Sequence, residues 1–273
     1  MHLWLIGSGI GQSPSPAMQN AALRAAGLPG GYEACEVDGA GLAGVLARLR
    51  AGEAQGANVT IPHKQAVAAA CDELEGDAVP TGSVNTVTVE NRRLVGGNTD
   101  ALGFEAAVRA AGLWPGPGAT ALVLGAGGAA AAVLLALSRA GVGRVAVVAR
   151  RRDAAVALAG RFQGSVPIAA AGWAGDDLRD LLAGASMVVN ATPAPLAALP
   201  LHPRDLAAGC AVFDLRYRPR PVDLVAAALE AGHPAGDGLE MLLQQGMLSF
   251  RRWTGIEPPW DAARAALLAA VGG

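Results

Sequence analysis

Lys64 is the only lysine among the 21 lysine and arginine residues of this chain. A desolvated lysine can give up its proton, whereas an arginine side chain stays charged, so Lys64 differs in its chemistry from the other members of that set. It ends the segment Asn58-Val59-Thr60-Ile61-Pro62-His63-Lys64, which is rich in hydrogen-bonding side chains. We therefore interpret Lys64 as a candidate proton donor, the alternative being an ordinary surface lysine.

Four short polar segments occur in the first hundred residues, each where a predicted strand ends or a predicted helix begins. They are residues 13–16 (Ser-Pro-Ser-Pro), 58–64, 82–86 (Gly-Ser-Val-Asn-Thr) and 98–100 (Asn-Thr-Asp). Such positions form the usual rim of a site in an α/β protein. Together the segments supply hydroxyls, amides, one cation and one carboxylate. This set favours a small polyhydroxylated substrate that carries an anion.

The elements that must position these side chains follow from hydrophobic periodicity and turn residues. In the first region we predict strands at 2–6, 31–37, 56–61, 83–90 and 94–98. Helices are predicted after Ser15-Pro16, read as an N-cap and first turn, and at 40–51 and 64–75. From residue 101 strands are predicted at 120–124, 144–149, 166–169, 186–190 and 210–214. Helices are predicted at 101–111, 128–140, 152–162, 176–183, 221–231, from 238 to about 253, and at 259–270. The strands at 83–90 and 94–98, joined by a turn at 91–93, predict a hairpin-like ending to the first α/β region. From residue 101, short apolar strands alternating with helices predict a parallel sheet covered on both faces. The fold class is therefore α/β.

A glycine-rich turn follows the apolar run at residues 121–124. Its pattern, Gly125-x-Gly127-x-x-Ala130, stands between a predicted strand and a predicted helix. Gly125 permits the tight turn, Gly127 lets the backbone approach a pyrophosphate, and Ala130 permits close packing of helix on sheet. The free N–H groups of the helix N-terminus would face the phosphates. The turn therefore predicts a dinucleotide site.

The next predicted strand ends in a basic run, at residues 150–152, and residues 126–152 contain no acidic side chain. An NAD site usually has an acid about 20 residues after the glycines, whereas arginine pairs with the 2′-phosphate of NADP. Arg150 and Arg151 therefore favour NADP(H). A solvated basic helix start is the alternative, and Asp153 lies near enough to act as a ribose partner instead.

Composition excludes several classes of function. Hydrophobic residues make up 52% of the chain and charged residues 16%, which predicts a packed core rather than disorder. A formal net charge of -2 offers no broad attraction to nucleic acid or to an anionic membrane, so neither is an expected partner. The uncharged stretch 113–138 is long enough for a membrane helix, but prolines and the glycine turn interrupt it.

The cysteines and histidines indicate no special chemistry. Three cysteines lie far apart without a CxxC pair, and four histidines lack the spacing of metal ligands. The N-terminus lacks the basic and long apolar regions of a signal peptide. We therefore expect reduced thiols, a cytoplasmic location and no metal.

Taken in order, the motifs resemble the shikimate dehydrogenase family over the whole chain. The segments that carry the resemblance are residues 13–16, 58–64, 82–87, 96–104, 125–132, 190–193, 214–219 and 238–246. The resemblance implies reversible reduction of 3-dehydroshikimate to shikimate with NADPH. It also implies an N-terminal α/β substrate domain and a Rossmann-type, doubly wound dinucleotide-binding domain, with C-terminal helices returning to the substrate domain. We place the substrate domain at 1–100 with 238–273 and the NADP domain at 101–237.

The resemblance also assigns roles to individual residues. It implies that Lys64 and Asp100 form the catalytic pair. For the substrate it implies Ser13, Ser15 and Tyr217 at the carboxylate, and Thr60, Asn85, Asp100 and Gln245 at the ring hydroxyls. For the cofactor it implies Gly125, Ala126, Gly127, Gly128, Ala129, Arg150, Arg151, Asn190, Thr192, Pro193, Gly238 and Met241. Where relatives usually have Asn-Arg-Thr after the second cofactor strand, this chain has Ala149-Arg150-Arg151.

Two other functions stay open at this point. One is a quinate/shikimate dehydrogenase with relaxed cofactor choice, and the other is a nucleotide-binding regulatory homologue without turnover. Lys64, Asp100 and Gln245 are all present and argue against the second. We expect a monomer or a homodimer that acts on a small molecule.

Overall fold

Two six-stranded sheets organise the chain, and the computed structural model describes residues 1–174 and 177–272. One compact unit comprises Met1–Gly103 and Leu242–Gly273, and the other comprises Phe104–Met241. The domain limits derived from the sequence, and the functions attached to them, stay predictions.

The secondary structure alternates along the whole chain. The strands are β1 (His2–Gly7), β2 (Gly31–Glu36), β3 (Gly56–Val59), β4 (Glu73–Leu74), β5 (Thr86–Glu90), β6 (Arg93–Gly97), β7 (Thr120–Leu124), β8 (Arg144–Ala149), β9 (Ile168–Gly172), β10 (Met187–Asn190), β11 (Ala211–Asp214) and β12 (Ala235–Asp237). The helices are α1 (Ser15–Ala25), α2 (Leu42–Ala51), α3 (Lys64–Ala70), α4 (Ala78–Thr81), α5 (Asp100–Ala110), α6 (Gly128–Arg139), α7 (Arg152–Arg161), α8 (Asp177–Ala183), α9 (Asp223–Glu230), α10 (Leu239–Thr254) and α11 (Trp260–Gly272). Residue 176, where the sequence predicts the start of a helix, lies outside the described residues.

The sheet of the first unit is mixed, with the strand order β2-β1-β3-β5-β6-β4. β1 pairs parallel with β2 and β3, whereas β5 pairs antiparallel with β3 and β6. The β5–β6 hairpin turns through Asn91 and Arg92, whose φ angles of 51° and 65° are both positive, as in the type I′ turns that match strand twist. Apolar side chains that include Ile6, Leu49 and Val87 form a core with no solvent exposure at those three positions.

Two expectations for this unit are wrong. The helix predicted over 64–75 ends at Ala70, because the chain becomes extended at Cys71 and β4 then pairs with β6 through backbone bonds. Alanine-rich sequence continues the helical pattern, and only the neighbouring strand reveals the edge strand. Ser15 is the first residue of α1 and not its N-cap; the hydroxyl of Ser13 accepts the Ser15 N–H at 3.3 Å.

The sheet of the second unit is parallel throughout, with the order β12-β11-β10-β7-β8-β9. The four residues of β10 and of β11 are all buried, as expected for strands covered on both faces. The strand predicted at 166–169 lies at Ile168–Gly172 instead, and β12 has no counterpart among the predicted strands.

The stretch at 113–138 contains strand β7, a glycine turn and most of helix α6. Across the described ranges, the structure has no helix with both the length and the apolar character needed to cross a membrane.

Candidate active site

Lys64 and Asp100 form an ion pair at the start of two helices in the first unit. Lys64 begins α3 and Asp100 begins α5, and the lysine Nζ lies 2.5 Å from Oδ2 of the carboxylate. The side chain of Lys64 is 15% exposed and that of Asp100 is 4% exposed. The ammonium therefore keeps some access from outside while its carboxylate partner is nearly covered.

The backbone around Asp100 is held by the preceding asparagine. Asn98 Oδ1 accepts the Asp100 N–H at 2.8 Å, and Asn98 Nδ2 donates to the Ser83 carbonyl at 2.7 Å. Asn98 thus joins the start of α5 to the segment that precedes β5. This explains locally why Asn-Thr-Asp stands at the end of β6: the asparagine closes the turn and the aspartate emerges in a defined direction.

Asn85 holds the second oxygen of the Asp100 carboxylate. Its Nδ2 lies 2.8 Å from Asp100 Oδ1, 2.8 Å from Thr99 Oγ1 and 3.2 Å from Gln245 Oε1. Asn85 Oδ1 accepts the Thr99 backbone N–H at 2.9 Å, which determines the orientation of the amide. Asp100 is therefore fixed from two sides, by the Lys64 ammonium and by the Asn85 amide.

Gln245 reaches this group from helix α10. Its Nε2 donates to the Leu242 carbonyl at 2.8 Å, so Oε1 is the atom that faces Asn85. Among the residues singled out in the sequence, the structure brings Lys64, Asn85, Asp100 and Gln245 into direct contact.

The two serines of the Ser-Pro-Ser-Pro segment form a separate pair. Ser13 Oγ lies 3.2 Å from Ser15 Oγ, and Ser15 is buried at the first turn of α1. Thr60 follows β3, where its N–H donates to the Ile6 carbonyl at 2.9 Å. His63 is also buried, and its Nε2 lies 2.8 Å from the Val37 carbonyl, so this ring supports the chain just before Lys64.

The glycine turn of the second unit has the geometry that a dinucleotide needs. Gly125 has a φ of 112°, and a Cβ there would lie 3.0 Å from Thr192 Cγ2. Gly127 has ordinary backbone angles, and a Cβ there would meet no atom of the described residues within 4 Å. The turn thus leaves open space in front of the N-terminus of α6, where backbone N–H groups favour an anion. These residues fit a bound pyrophosphate.

Arg150 and Arg151 lie between the end of β8 and the start of α7, and both are exposed. The Arg150 guanidinium carbon lies 5.9 Å from the ring centroid of Trp173, which follows β9. Asp153 lies in the first turn of α7. Two exposed guanidiniums at the end of the strand that follows the glycine turn suit a 2′-phosphate.

The loop after β10 is tied to an ionic cluster that is centred on the buried Asp214. Asn190 Oδ1 accepts the Thr192 N–H at 3.1 Å, and Asn190 Nδ2 donates to Asp214 Oδ1 at 3.2 Å. Burial raises the pKa of the Asp214 carboxyl above its ordinary value, although hydrogen bonds from Arg216 oppose that shift. Arg216 also contacts Asp223, whose Oδ2 accepts the Leu196 N–H at 2.8 Å.

The remaining residues singled out for ligand contacts all lie in the second unit. Gly238 cannot be replaced without movement, because a Cβ there would lie 2.0 Å from the Leu215 carbonyl oxygen. Met241 is buried on α10, and Tyr217 follows β11. Pro193 lies in the loop after β10. Ala126 lies in the glycine turn, and Ala129 is one of the first residues of α6.

Three family models match consecutive parts of the chain. The shikimate dehydrogenase substrate binding domain matches residues 5–87, shikimate/quinate 5-dehydrogenase matches 115–227, and the shikimate 5′-dehydrogenase C-terminal domain matches 238–268. A shikimate dehydrogenase (NADP(+)) of Symbiobacterium thermophilum is 39% identical over 99% of this chain and 95% of its own. That of Rubrobacter xylanophilus is 41% identical over 96% of this chain and 94% of its own.

This chain belongs to the shikimate dehydrogenase family.

Solved structures of the shikimate dehydrogenase family have the same fold. Shikimate 5-dehydrogenase of Thermus thermophilus, solved with NADP(H) and shikimate, superposes with a TM-score of 0.86 at 37% identity, covering 99% of both chains. Quinate dehydrogenase of Corynebacterium glutamicum, solved with NAD, has a TM-score of 0.85 at 32% identity and covers 98% of this chain and 99% of its own. The resemblance and the fold class inferred from the sequence are confirmed.

Thr99 and Ser249 also contact this candidate site, although the sequence predicted no role for either. Thr99 donates its N–H to Asn85 and its hydroxyl to the Gln245 carbonyl at 3.0 Å. Ser249 follows Gln245 by four residues on α10 and therefore lies on the same helical face. The four-residue spacing could have indicated a role for Ser249, but the sequence does not show what that face of the helix packs against.

Proposed function

We propose that this chain catalyses the reversible, NADPH-dependent reduction of 3-dehydroshikimate to shikimate. The observation that carries the proposal is the 2.5 Å contact of Lys64 with Asp100, in a chain whose relatives are NADP(+)-dependent shikimate dehydrogenases over nearly their full length. This reaction belongs to aromatic amino acid biosynthesis by way of chorismate. The chain is accordingly an oxidoreductase that acts on a CH–OH group with NADP(H) as its cofactor.

The proposed cofactor contacts follow the open glycine turn. Gly125, Ala126, Gly127, Gly128 and Ala129 would hold the pyrophosphate with backbone N–H groups at the start of α6. Arg150 and Arg151 would pair with the 2′-phosphate, and Asn190, Thr192, Pro193, Gly238 and Met241 would surround the nicotinamide end. When NADPH is bound, the chemistry it supplies is a hydride for the carbonyl carbon of the substrate.

Lys64 has the chemistry to complete the reduction. As the ketone carbon is reduced, negative charge develops on its oxygen, and an ammonium within hydrogen-bond reach stabilises that charge and donates a proton. Asp100 keeps Lys64 in position and balances its charge, while Asn85 prevents the carboxylate from turning. Solvent then restores the proton to Lys64, whose side chain is partly exposed. In the direction of oxidation the same proton moves from the hydroxyl to Lys64.

The proposed substrate contacts use the two polar groups of the first unit. Ser13 and Ser15 would hold the carboxylate with their hydroxyls at the N-terminal end of α1, where the helix dipole favours an anion. The family resemblance assigns Tyr217 to the same carboxylate. Thr60, Asn85, Asp100 and Gln245 would bind the ring hydroxyls. A substrate hydroxyl can most easily replace the longest contact of the Asn85 amide, at 3.2 Å to Gln245.

A second candidate function is a quinate/shikimate dehydrogenase with relaxed cofactor choice. The observation that favours it is the superposition on a quinate dehydrogenase solved with NAD. The non-catalytic regulatory alternative is less favoured, because the Lys64–Asp100–Asn85 contacts are complete. The monomeric or homodimeric state and the cytoplasmic location stay predictions.

Steady-state kinetics with a two-by-two set of substrates separates these functions. Shikimate and quinate are each oxidised with NADP and with NAD, and kcat/KM is compared among the four combinations. We expect shikimate with NADP to have the highest value. Comparable values for quinate or for NAD would support the relaxed enzyme, and absence of turnover in all four would support the regulatory homologue.

A further inference from the structure

A continuous row of buried polar side chains extends from Asn85 into the interior of the first unit. It comprises Thr86 on β5, Ser249 on α10, Asn58 on β3 and Tyr32 on β2. Their exposed fractions are 0% for Thr86 and Ser249, 6% for Asn58 and 3% for Tyr32. Buried polar groups are costly unless each finds a partner, so the row has to be explained by its hydrogen bonds.

At the Tyr32 end of the row, only one assignment of hydrogen-bond donors and acceptors fits the contacts. Asn58 Nδ2 lies 3.0 Å from the Asn85 carbonyl, which can only accept, so Asn58 Oδ1 is the atom that faces Tyr32. The Tyr32 hydroxyl must then donate to Asn58 Oδ1 across 2.9 Å. Burial raises the pKa of Tyr32 above its ordinary value, so the phenol keeps the proton that this bond requires.

At the Asn85 end of the row, only one assignment of donors and acceptors fits the contacts as well. Asn85 Oδ1 can only accept, so Thr86 must donate its single hydroxyl proton to that atom across 2.9 Å. The 2.7 Å contact of Thr86 with Ser249 then requires Ser249 to be the donor. The Gln245 carbonyl, which also lies 3.0 Å from Ser249, does not need that proton because the Thr99 hydroxyl already donates to it.

Ser249 therefore joins the two ends. It accepts from Asn58 Nδ2 at 2.9 Å and donates to Thr86, so each donor in the row points toward the active site. The row continues through the Asn85 amide to the Asp100 carboxylate. In a low-dielectric interior, hydrogen bonds in such a row polarise one another and strengthen the last bond, which here is the one on Asp100.

We propose that Ser249 is a positioning residue for the reduction. It acts through Thr86 and Asn85 to hold the Asp100 carboxylate against Lys64. Asn58 and Tyr32 form the part of the same hydrogen-bonded row that lies farther from Asp100, and the whole row is called the relay below. This inference rests on the proposed function, because it assigns to Ser249 a task in that reaction. Ser249 itself contacts no reacting group.

The test is a double-mutant cycle on kcat for shikimate oxidation with NADP, using Ser249→Ala, Tyr32→Phe and the combined variant. We expect Ser249→Ala to lower kcat roughly threefold to tenfold, the equivalent of one ordinary hydrogen bond. The KM for NADP should not change. Tyr32→Phe should have a smaller effect, and the combined loss should be smaller than the product of the single losses, because both changes interrupt one network.

A matched control is Thr254→Ala, since Thr254 also lies on α10 and its hydroxyl bonds to the backbone of its own helix, donating to the Phe250 carbonyl at 2.8 Å. This control should keep the wild-type kcat. An unchanged kcat in both Ser249→Ala and Tyr32→Phe would overturn the relay, as would a combined effect equal to the product of the single effects. If Ser249→Ala does not fold, the kcat of Tyr32→Phe alone decides between these outcomes.

Failure of the proposed function can be told apart from failure of the relay. Wild-type protein without turnover of shikimate refutes the proposed function. In that event the relay is tested by nuclear magnetic resonance spectroscopy of the side-chain amide protons of Asn85. Their signals are identified as those that disappear from the spectrum of Asn85→Asp. Faster exchange of those protons with water in Ser249→Ala than in Thr254→Ala supports the relay, and equal exchange overturns it.

Discussion

Gly103 and Gln245 approach so closely that no larger side chain fits between them. A Cβ added to Gly103 on α5 would lie 2.8 Å from Gln245 Cβ and 3.0 Å from its backbone nitrogen on α10. The absence of a side chain at position 103 therefore lets α10 bring Gln245 to within 3.2 Å of Asn85. Since the obstacle includes backbone, a Cβ there can be accommodated only by moving a helix.

Gly103→Ala is expected to raise the KM for shikimate and to lower stability. Overpacking costs about 1–3 kcal/mol, which the better helix propensity of alanine offsets by about 1 kcal/mol. Urea unfolding and steady-state kinetics measure the two effects. Gly44→Ala on α2 is the control, because a Cβ there meets no described atom within 4 Å, and it should be neutral or stabilising. Unchanged kinetics in Gly103→Ala would show that the helices adjust without displacing Gln245.

Lys64→Ala is expected to lower kcat by roughly 10²–10⁴, the usual contribution of a positioned acid–base group. Lys64→Arg should not restore activity, since arginine keeps the charge but cannot release its proton. Arg24→Ala, on an exposed position of α1, serves as the control for loss of a cation. Thermal unfolding checks that each variant folds. Near-wild-type turnover in Lys64→Ala would remove this residue from the mechanism.

The glycine turn offers a matched pair of substitutions. Gly127→Ala has space in the free protein, so stability should be retained while the KM for NADP rises, because the added methyl occupies the approach of the pyrophosphate. Gly125→Ala should lower stability, because its φ of 112° is strained for alanine. Thermal unfolding with and without NADP separates the two effects. Normal NADP binding in Gly127→Ala would contradict the proposed pyrophosphate site.

Arg150→Ala is expected to raise the KM for NADP by about tenfold to a hundredfold, the equivalent of one charge-assisted bond of about 1.5–3 kcal/mol. The KM for NAD should hardly change, because NAD lacks the 2′-phosphate. Arg151→Ala should have a smaller effect, since part of the phosphate charge is already neutralised. Equal losses with both cofactors would assign Arg150 to adenine stacking or to the fold. A wild-type preference for NAD would contradict this prediction and would indicate Asp153 as the residue that binds the ribose.

Asp72 should contribute to the pH dependence of stability. The Leu94 N–H, which donates to this carboxylate at 2.7 Å, and the Arg50 guanidinium lower the pKa of Asp72 below its ordinary value. Its contribution is therefore present above the ordinary pKa of about 3.9 and is lost as the pH falls through the lower value of the folded state. The difference in unfolding free energy between the wild type and Asp72→Asn should become smaller at acid pH. Glu90→Gln, which removes a carboxylate at an exposed position, is the control for the loss of a negative charge. A difference for Asp72→Asn that stays constant from neutral to acid pH would contradict this role of Asp72.

Much of the fold could be predicted because its signals are local. Short apolar runs separated by helical periods identify the parallel strands of the second unit, and β7 and β8 have the predicted bounds. The glycine turn could be predicted because only glycine readily adopts the φ of Gly125. The hairpin turn between β5 and β6 could also be predicted, because Asn91, Arg92 and Arg93 are a polar break between two apolar runs.

Two errors show where local residue types do not decide the local structure. Residues 73–74 form β4 because β6 presents free backbone groups there, although their own sequence continues a helix. Ser15 has the residue type of a cap, yet Ser13 accepts its N–H. At β4 the deciding hydrogen bonds come from a strand whose position the local pattern does not encode. At Ser15 the two serines of one short segment compete for the same turn, and residue type alone does not say which of them accepts the N–H.

By itself the sequence determined the family, the reaction class and the residue types of the site, because chemistry depends on which side chains are present and on their order. Only the tertiary structure decided how these side chains pair. Gln245 and Ser249 are separated from Asn85 by more than 150 residues, and it is the packing of α10 that brings them to Asn85 and Thr86. A hydrogen bond forms only within about 3 Å, and such proximity over a long chain separation comes from the packed core, not from local sequence.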